Sequence, residues 1–312
     1  MVQNWKLWLI FTVVASAIAA AIINTFDPHA MRLAMQAFGA DGPPAGMGGG
    51  PFGTGSSRFG LFTIPDLMAS GYYAMLGLIM PLVYVVVTAN SLVASQIDRG
   101  SMAYTLSTPI TRLKVVFTQA AYLIVALLAM FSLMVGVYAA AEYLDMEVAQ
   151  LLTQLNILES DPIALAVAAE ASGVTEETLM AFIQVQLAES EFEFDQGIYF
   201  NVANFLNLNI GIFLLMFAIG GVSFMFSCIF NLTRNSLALG AGIPFAFFIL
   251  NMMAGVSPDF ASLRFFTLNT LYNPMDVVSG YGFISQFIAM AAIGLALYVI
   301  GITVFKRKDL PL

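Results

Sequence analysis

Six long apolar runs alternate with polar breaks along the chain. They fall at about residues 7–23, 72–93, 115–140, 207–230, 236–253 and 283–305, each close to the roughly 20 residues an α-helix needs to cross a bilayer. The pattern predicts an all-α polytopic membrane protein with six spans. The first run contains Ala15-Ser16-Ala17, a small-x-small pattern of the kind signal peptidases cut. It is nevertheless longer than the roughly 7–15 residues of a signal core, so an uncleaved first span is expected.

The break between the second and third runs, residues 95–114, is a compact polar island. Gly100 offers a helix stop without a Cβ penalty, and Thr108 before Pro109 reads as a cap followed by the residue favoured at a first helical position. About two turns of surface helix, residues 101–107, fit between these signals. The other breaks differ in character. Residues 27–66 carry a Gly/Pro-rich stretch at 39–60 that lacks the Lys of a phosphate-binding loop, so they read as a flexible external loop. Met31, Leu33, Ala34, Ala37 and Phe38 in their early part suit a short helix at the outer interface. Residues 231–235 form a tight turn, and Pro244 with Gly240 and Gly242 marks the fifth span as a place of close helix approach. Residues 257–282 are too apolar for a plain loop; Leu263-Arg264-Phe265-Phe266 and Leu271-Tyr272-Asn273-Pro274 suggest interfacial or re-entrant helices.

One segment has soluble character. Residues 142–195 carry twelve carboxylates and no cation. Val148, Leu151, Leu152 and Leu155 make one apolar stripe, Asp161-Pro162 caps a second helix that ends near Gly173, and Thr175 caps a third with Leu179, Phe182, Ile183 and Leu187 inward. This predicts a small helical extracytoplasmic insertion. The carboxylates read as a solvated acidic face, with attraction of cations as the sharper alternative.

Composition narrows the class. The chain is 60% hydrophobic and only 10% charged, against about 25% charged in soluble domains. Its net charge of −8 conceals an uneven distribution, with no Lys or Arg between Val115 and Thr233. Nucleic-acid binding, which needs a clustered basic face, is thereby disfavoured. Six spans with both termini inside put eight cations on the cytoplasmic side (Lys6, Arg99, Arg112, Lys114, Arg234, Lys306, Arg307, Lys308) and three outside (Arg32, Arg58, Arg264). That parity obeys the positive-inside rule. The lone His29 has no second ligand at metal spacing, and the single Cys228 reads as a small buried apolar residue. Thr88, Asn90, Ser91 and Gln119 are expected to bond between helices rather than form a substrate site.

Membrane-embedded catalysis leaves traces such as paired intramembrane carboxylates or His-Glu-x-x-His, and none occurs. The span centres are essentially uncharged, so a coupling site for an ion gradient is not visible either.

The island itself carries a resemblance. Reading Gln96-x-x-x-Gly100-Ser101 and then Thr105-Leu106-Ser107-Thr108-Pro109-Ile110-Thr111-Arg112, it resembles the cytoplasmic segment between spans two and three of bacterial ABC-type exporter permeases, the six-span type-2 family. That segment has the form acid-x-x-x-Gly-Thr followed by Leu-Leu, two small residues, Pro, a small residue and Arg. The match is good from Gly100 onward and departs at Gln96, where the family usually has a carboxylate.

The resemblance implies a single permease domain over residues 1–312, with 142–195 as an insertion, in a bacterial cytoplasmic membrane. It implies a coupling helix that docks into a separate ATP-binding subunit through Gln96, Asp98, Arg99, Gly100, Ser101, Tyr104, Leu106, Pro109 and Arg112. A second permease subunit, identical or related, completes the assembly; ATP and Mg belong to the partner, and no cofactor or catalytic residue is expected in this chain. The rival class is an ion-driven carrier, a channel or a scaffold with no ATPase partner.

Overall fold

The computed structural model describes residues 5–24, 68–107, 109–160, 165–167, 169–170, 175–184, 202–256, 258–280 and 282–308. No strand occurs among them, and six described helices are long and apolar enough to cross a membrane. In chain order the elements are α1 (Trp5–Asn24), a π-helical segment (Met68–Leu76) leading into α2 (Gly77–Leu92), α3 (Ala94–Asp98), α4 (Ser101–Leu106) and α5 (Arg112–Ser160). They continue with α6 (Val202–Ile229), α7 (Thr233–Val256), two 3-10 segments (Pro258–Phe266, Leu268–Leu271), α8 (Pro274–Val278) and α9 (Phe283–Arg307). The second span is thus the π-helical segment with α2, and the remaining spans are α1, α5, α6, α7 and α9. The expectations for His29, the 39–60 stretch, Thr108, Asp161-Pro162 and Leu187 lie outside the described residues.

Span α6 is apolar on every side, the pattern of a helix surrounded by other helices. It packs against α2, α5, α7 and α9, most extensively against α9. In lipid there is no hydrophobic drive between helices, so close backbone approach has to supply the attraction. Glycine makes that approach possible. A Cβ on Gly294 of α9 would lie 2.4 Å from the Phe217 ring and 3.2 Å from the Ala218 Cα, and one on Gly221 would lie 2.9 Å from the Leu297 Cβ. Tyr298 then fits between Phe217 and Phe224, at ring separations of 5.1 and 5.4 Å.

The π-helical segment explains how adjacent Tyr72 and Tyr73 are both buried. Tyr72 donates to the Ala15 carbonyl of α1 at 3.1 Å, while the Tyr73 hydroxyl accepts from Asn209 Nδ2 of α6 at 2.6 Å. The wider turn serves two neighbouring spans from consecutive positions. These cross-helix polar bonds come from residues the sequence pattern does not single out. Among those it does, Ser91 turns back to the Thr88 carbonyl of its own helix at 2.8 Å, and the Asn90 and Gln119 side-chain oxygens are buried without a partner.

Two contacts set the height of α1. Trp8 donates to the Ala126 carbonyl at 2.8 Å, and Ala126 lies fourteen residues into α5, about 21 Å along it at 1.5 Å per residue. Tyr72, which meets Ala15, belongs to the opposite end of the bundle. Helix α1 is therefore offset along the bundle axis, and Lys6 starts beside the middle of the bundle instead of joining the other seven cations expected inside.

Helix α5 departs most from expectation. The pattern ends the third span near residue 140 and begins a separate helix around Val148, whereas α5 is one helix of 49 residues. No Gly or Pro lies between Gly136 and Pro162, and the stretch is rich in strong helix formers such as Ala, Leu, Gln and Glu, so a change of polarity does not interrupt the backbone ladder. Farther into the acidic segment, Thr175 Oγ1 accepts the Thr178 N–H at 3.4 Å and caps a helix over 176–184, as its sequence implies. Ile183 and Leu165 are buried together with Leu179 and Met180 against them. Phe182, expected inward, is instead 58% exposed. Helix α7 runs unbroken through Pro244.

Candidate functional site

The polar island folds as two short helices joined by one left-handed residue. The helical path of the second span breaks at Val93, where φ is −121° and ψ −68°, and the next amide, Ala94 N–H, donates to Ser227 Oγ of α6 at 2.9 Å. Five residues of α3 follow. Gly100 then takes φ 73°, ψ −2°, a conformation that costs other residues about 1–2 kcal/mol, and redirects the chain into α4. Ser101 Oγ donates back across this turn to the Gln96 carbonyl at 3.1 Å.

Six residues are too few to hold a helix by propensity alone. Met102 supplies the anchor. It is 1% exposed and packs with Val93, Val116, Phe224 and Phe305 in the core cluster at this end of the bundle. From the same short helix Tyr104 projects outward, 82% exposed. The helix over 101–106 agrees with the expected residues 101–107, but the restart does not come at Thr108-Pro109. Helix α5 begins at Arg112, and its cap is Thr111, which accepts the Lys114 N–H through both its carbonyl (2.9 Å) and its Oγ1 (3.4 Å). Pro109 is an exposed part of the connector.

Hydrogen bonds knit the island to the neighbouring helix ends. Asp98 Oδ2 accepts the Thr233 N–H at 3.2 Å, placing a carboxylate at the N-terminus of α7, where the helix dipole favours it. Arg112 Nη1 donates to the Lys308 carbonyl at 3.0 Å, and Lys308 Nζ donates to the Cys228 carbonyl in the last turn of α6 at 3.0 Å. Burial lowers the Lys308 pKa from the ordinary lysine value, and a carbonyl at a helix C-terminus offsets part of that penalty. These contacts join α3, α5, α6, α7 and α9 at one end.

Of the nine residues expected to contact a partner, the structure brings Gln96, Asp98, Arg99, Gly100, Ser101 and Tyr104 onto α3, α4 and the turn between them, with Leu106 closing α4. Arg99, Pro109 and Arg112 are exposed; the side chain of Leu106 is outside the described set. Asp98 and Arg112 serve within the bundle as ties to α7 and α9. Ser227, Thr111, Thr233 and Lys308 complete the arrangement. They escaped sequence reasoning because their partners are distant in the chain, although Thr111 one residue before Arg112 was a readable cap. Among the described residues no group of three His, Cys, Asp or Glu side chains is placed to hold a metal ion.

No family model matches the chain, and neither the curated proteins nor the solved structures contain a significant match to it.

Proposed function

We propose that this chain is the membrane-spanning permease subunit of an ATP-driven exporter, working with a separate ATP-binding subunit and a second permease subunit in a bacterial cytoplasmic membrane. The observation that carries the reading is α4, a short helix pinned to the bundle by Met102 that presents Tyr104 outward, in an island whose Arg99, Arg112 and Lys114 are also exposed. A partner that pushes on such a handle moves several spans together, because Asp98, Arg112 and Ser227 connect its surroundings to α7, α9 and α6. The six apolar helices and the uncharged centres of α2, α5, α6, α7 and α9 leave the driving force to another subunit. In this reading the cation-rich end faces the cytoplasm, and ATP-driven closure of the nucleotide subunits is transmitted through α4.

The test is co-purification in detergent with the nucleotide-binding subunit encoded beside it, followed by ATPase assay. Tyr104→Ala and Gly100→Val should both reduce stimulation of the partner's ATPase while membrane insertion is retained. At Gly100 the effect is conformational, since a Cβ there meets open space but φ is +73°. Unchanged stimulation in both variants, or transport by the purified chain alone, refutes the exporter. Transport abolished by dissipating ion gradients at constant ATP would identify an ion-driven carrier instead.

A further inference from the structure

At the other end of the bundle, polar side chains gather around a cavity of about 230 Å³. Its walls come from the π-helical segment (Tyr73), the last turns of α7 (Asn251) and the connector before α9 (Arg264, Asn269, Asn273, Asp276). Tyr73 and Ala94 are twenty-one residues apart along the second span, so cavity and island are separated by about 30 Å. The connector that forms the cavity is firmly held. Tyr272 donates to the Leu208 carbonyl of α6 at 3.0 Å and lies against Gly211, where an added Cβ would come within 2.5 Å of its ring. Thr267 and Thr270 both reach the Arg264 carbonyl through their hydroxyls.

Within this firm frame some of the strongest polar groups have no protein partner. Asn269 is 3% exposed, yet neither its Oδ1 nor its Nδ2 is hydrogen-bonded. Buried amides are ordinarily paired, and this one, at a cavity wall, can satisfy its donors and acceptor by turning toward an occupant of the cavity. Arg264 and Asp276, of opposite charge, line the same cavity without forming an ion pair with each other among the described residues. Asn273 uses its Oδ1 to cap α8 through the Met275 N–H at 3.3 Å.

We propose that this cavity binds a small zwitterion, an ammonium and an oxyanion a few bonds apart. The oxyanion meets the Arg264 guanidinium, the ammonium meets the Asp276 carboxylate, and the Asn269 amide bonds the atoms between them. The cavity is smaller than the roughly 300–1,000 Å³ of drug-sized sites, a volume that suits a small polar group such as a headgroup. Phe265 and Phe266, 86% and 71% exposed beside Arg264, supply an apolar border of the kind acyl chains cover. A phospholipid headgroup and a free solute share this chemistry. The site is independent of the exporter reading, and its test needs only this chain.

The test uses the full chain in nanodiscs of phosphatidylglycerol, with glycerophosphoethanolamine as soluble probe and glycerophosphoglycerol, which lacks the ammonium, as control. Calorimetry should give saturable binding of the first and at least about tenfold weaker binding of the second. In a parallel arm, native mass spectrometry after adding phosphatidylethanolamine to the discs should show that lipid retained over phosphatidylglycerol. Binding of the soluble probe without lipid retention assigns the site to a free zwitterion, and lipid retention assigns it to a headgroup; both support the proposal. Arg264→Gln and Asp276→Asn should each weaken whichever binding is seen by about tenfold, and Tyr104→Ala should leave it unchanged. Asn269→Leu, once shown to be monodisperse with an unaltered melting temperature, should also lose it. Absence of binding in both arms, or binding that survives all three cavity substitutions, overturns the proposal.

Discussion

The ties around α3 and α4 and the lining of the cavity use their polar side chains differently. Around α3 and α4, Ala94, Asp98, Arg112 and Lys308 each find a partner on another helix. Around the cavity, Asn269 is buried and unpaired, and Arg264 and Asp276 do not form a pair. Polar groups bonded to one another across helices hold those helices in register, and groups left available recognise something else. The named island residues tie helices to one another, and Asn269 at the cavity does not.

Substitutions can break or sharpen this contrast. The largest effect belongs to Met102→Ala, which empties the anchor of α4 and should cost about 2–5 kcal/mol. Thermal unfolding in detergent should show it, together with new tryptic cleavage at Arg99. Ser227→Ala comes next, because it strands the buried Ala94 N–H. A loss of about 1–3 kcal/mol is expected, and an unchanged melting temperature would mean that the Val93 break holds itself. Asp98→Ala should be milder, about 0.3–1 kcal/mol and smaller still in high salt, since its contact with the start of α7 is exposed. At the far end the sign changes. Asn269→Leu removes a polar group that has no partner and should leave the ligand-free melting temperature unaltered. A clear fall there would mean that Asn269 holds the connector together, and the contrast between the ends would fail.

The six helices long and apolar enough to cross a membrane were legible because length and continuous hydrophobicity are local properties of the chain. So were the helix at α4, announced by Gly100, and the presence of short helices before α9, where aromatic residues and Pro274 ruled out a plain loop. The misreadings have local causes too. The restart expected at Thr108-Pro109 comes instead after Thr111, whose cap fixes the start of α5 at Arg112. At residue 140 polarity changed without any helix breaker, and α5 simply continued. What no local pattern contained were the contacts between distant segments. The π-helical turn that serves both Ala15 and Asn209, the offset of α1 and the meeting of Arg264, Asn269 and Asp276 around one cavity exist only once the helices have packed.

One feature of α5 reaches beyond the bilayer. Its 49 residues extend about 73 Å at 1.5 Å per residue, more than twice the roughly 30 Å of a hydrocarbon core. A continuous helix of that length is a lever. With Arg112 at one end bonded to the end of α9, a tilt of the whole helix about that contact would move Ser160 by about 1.3 Å per degree.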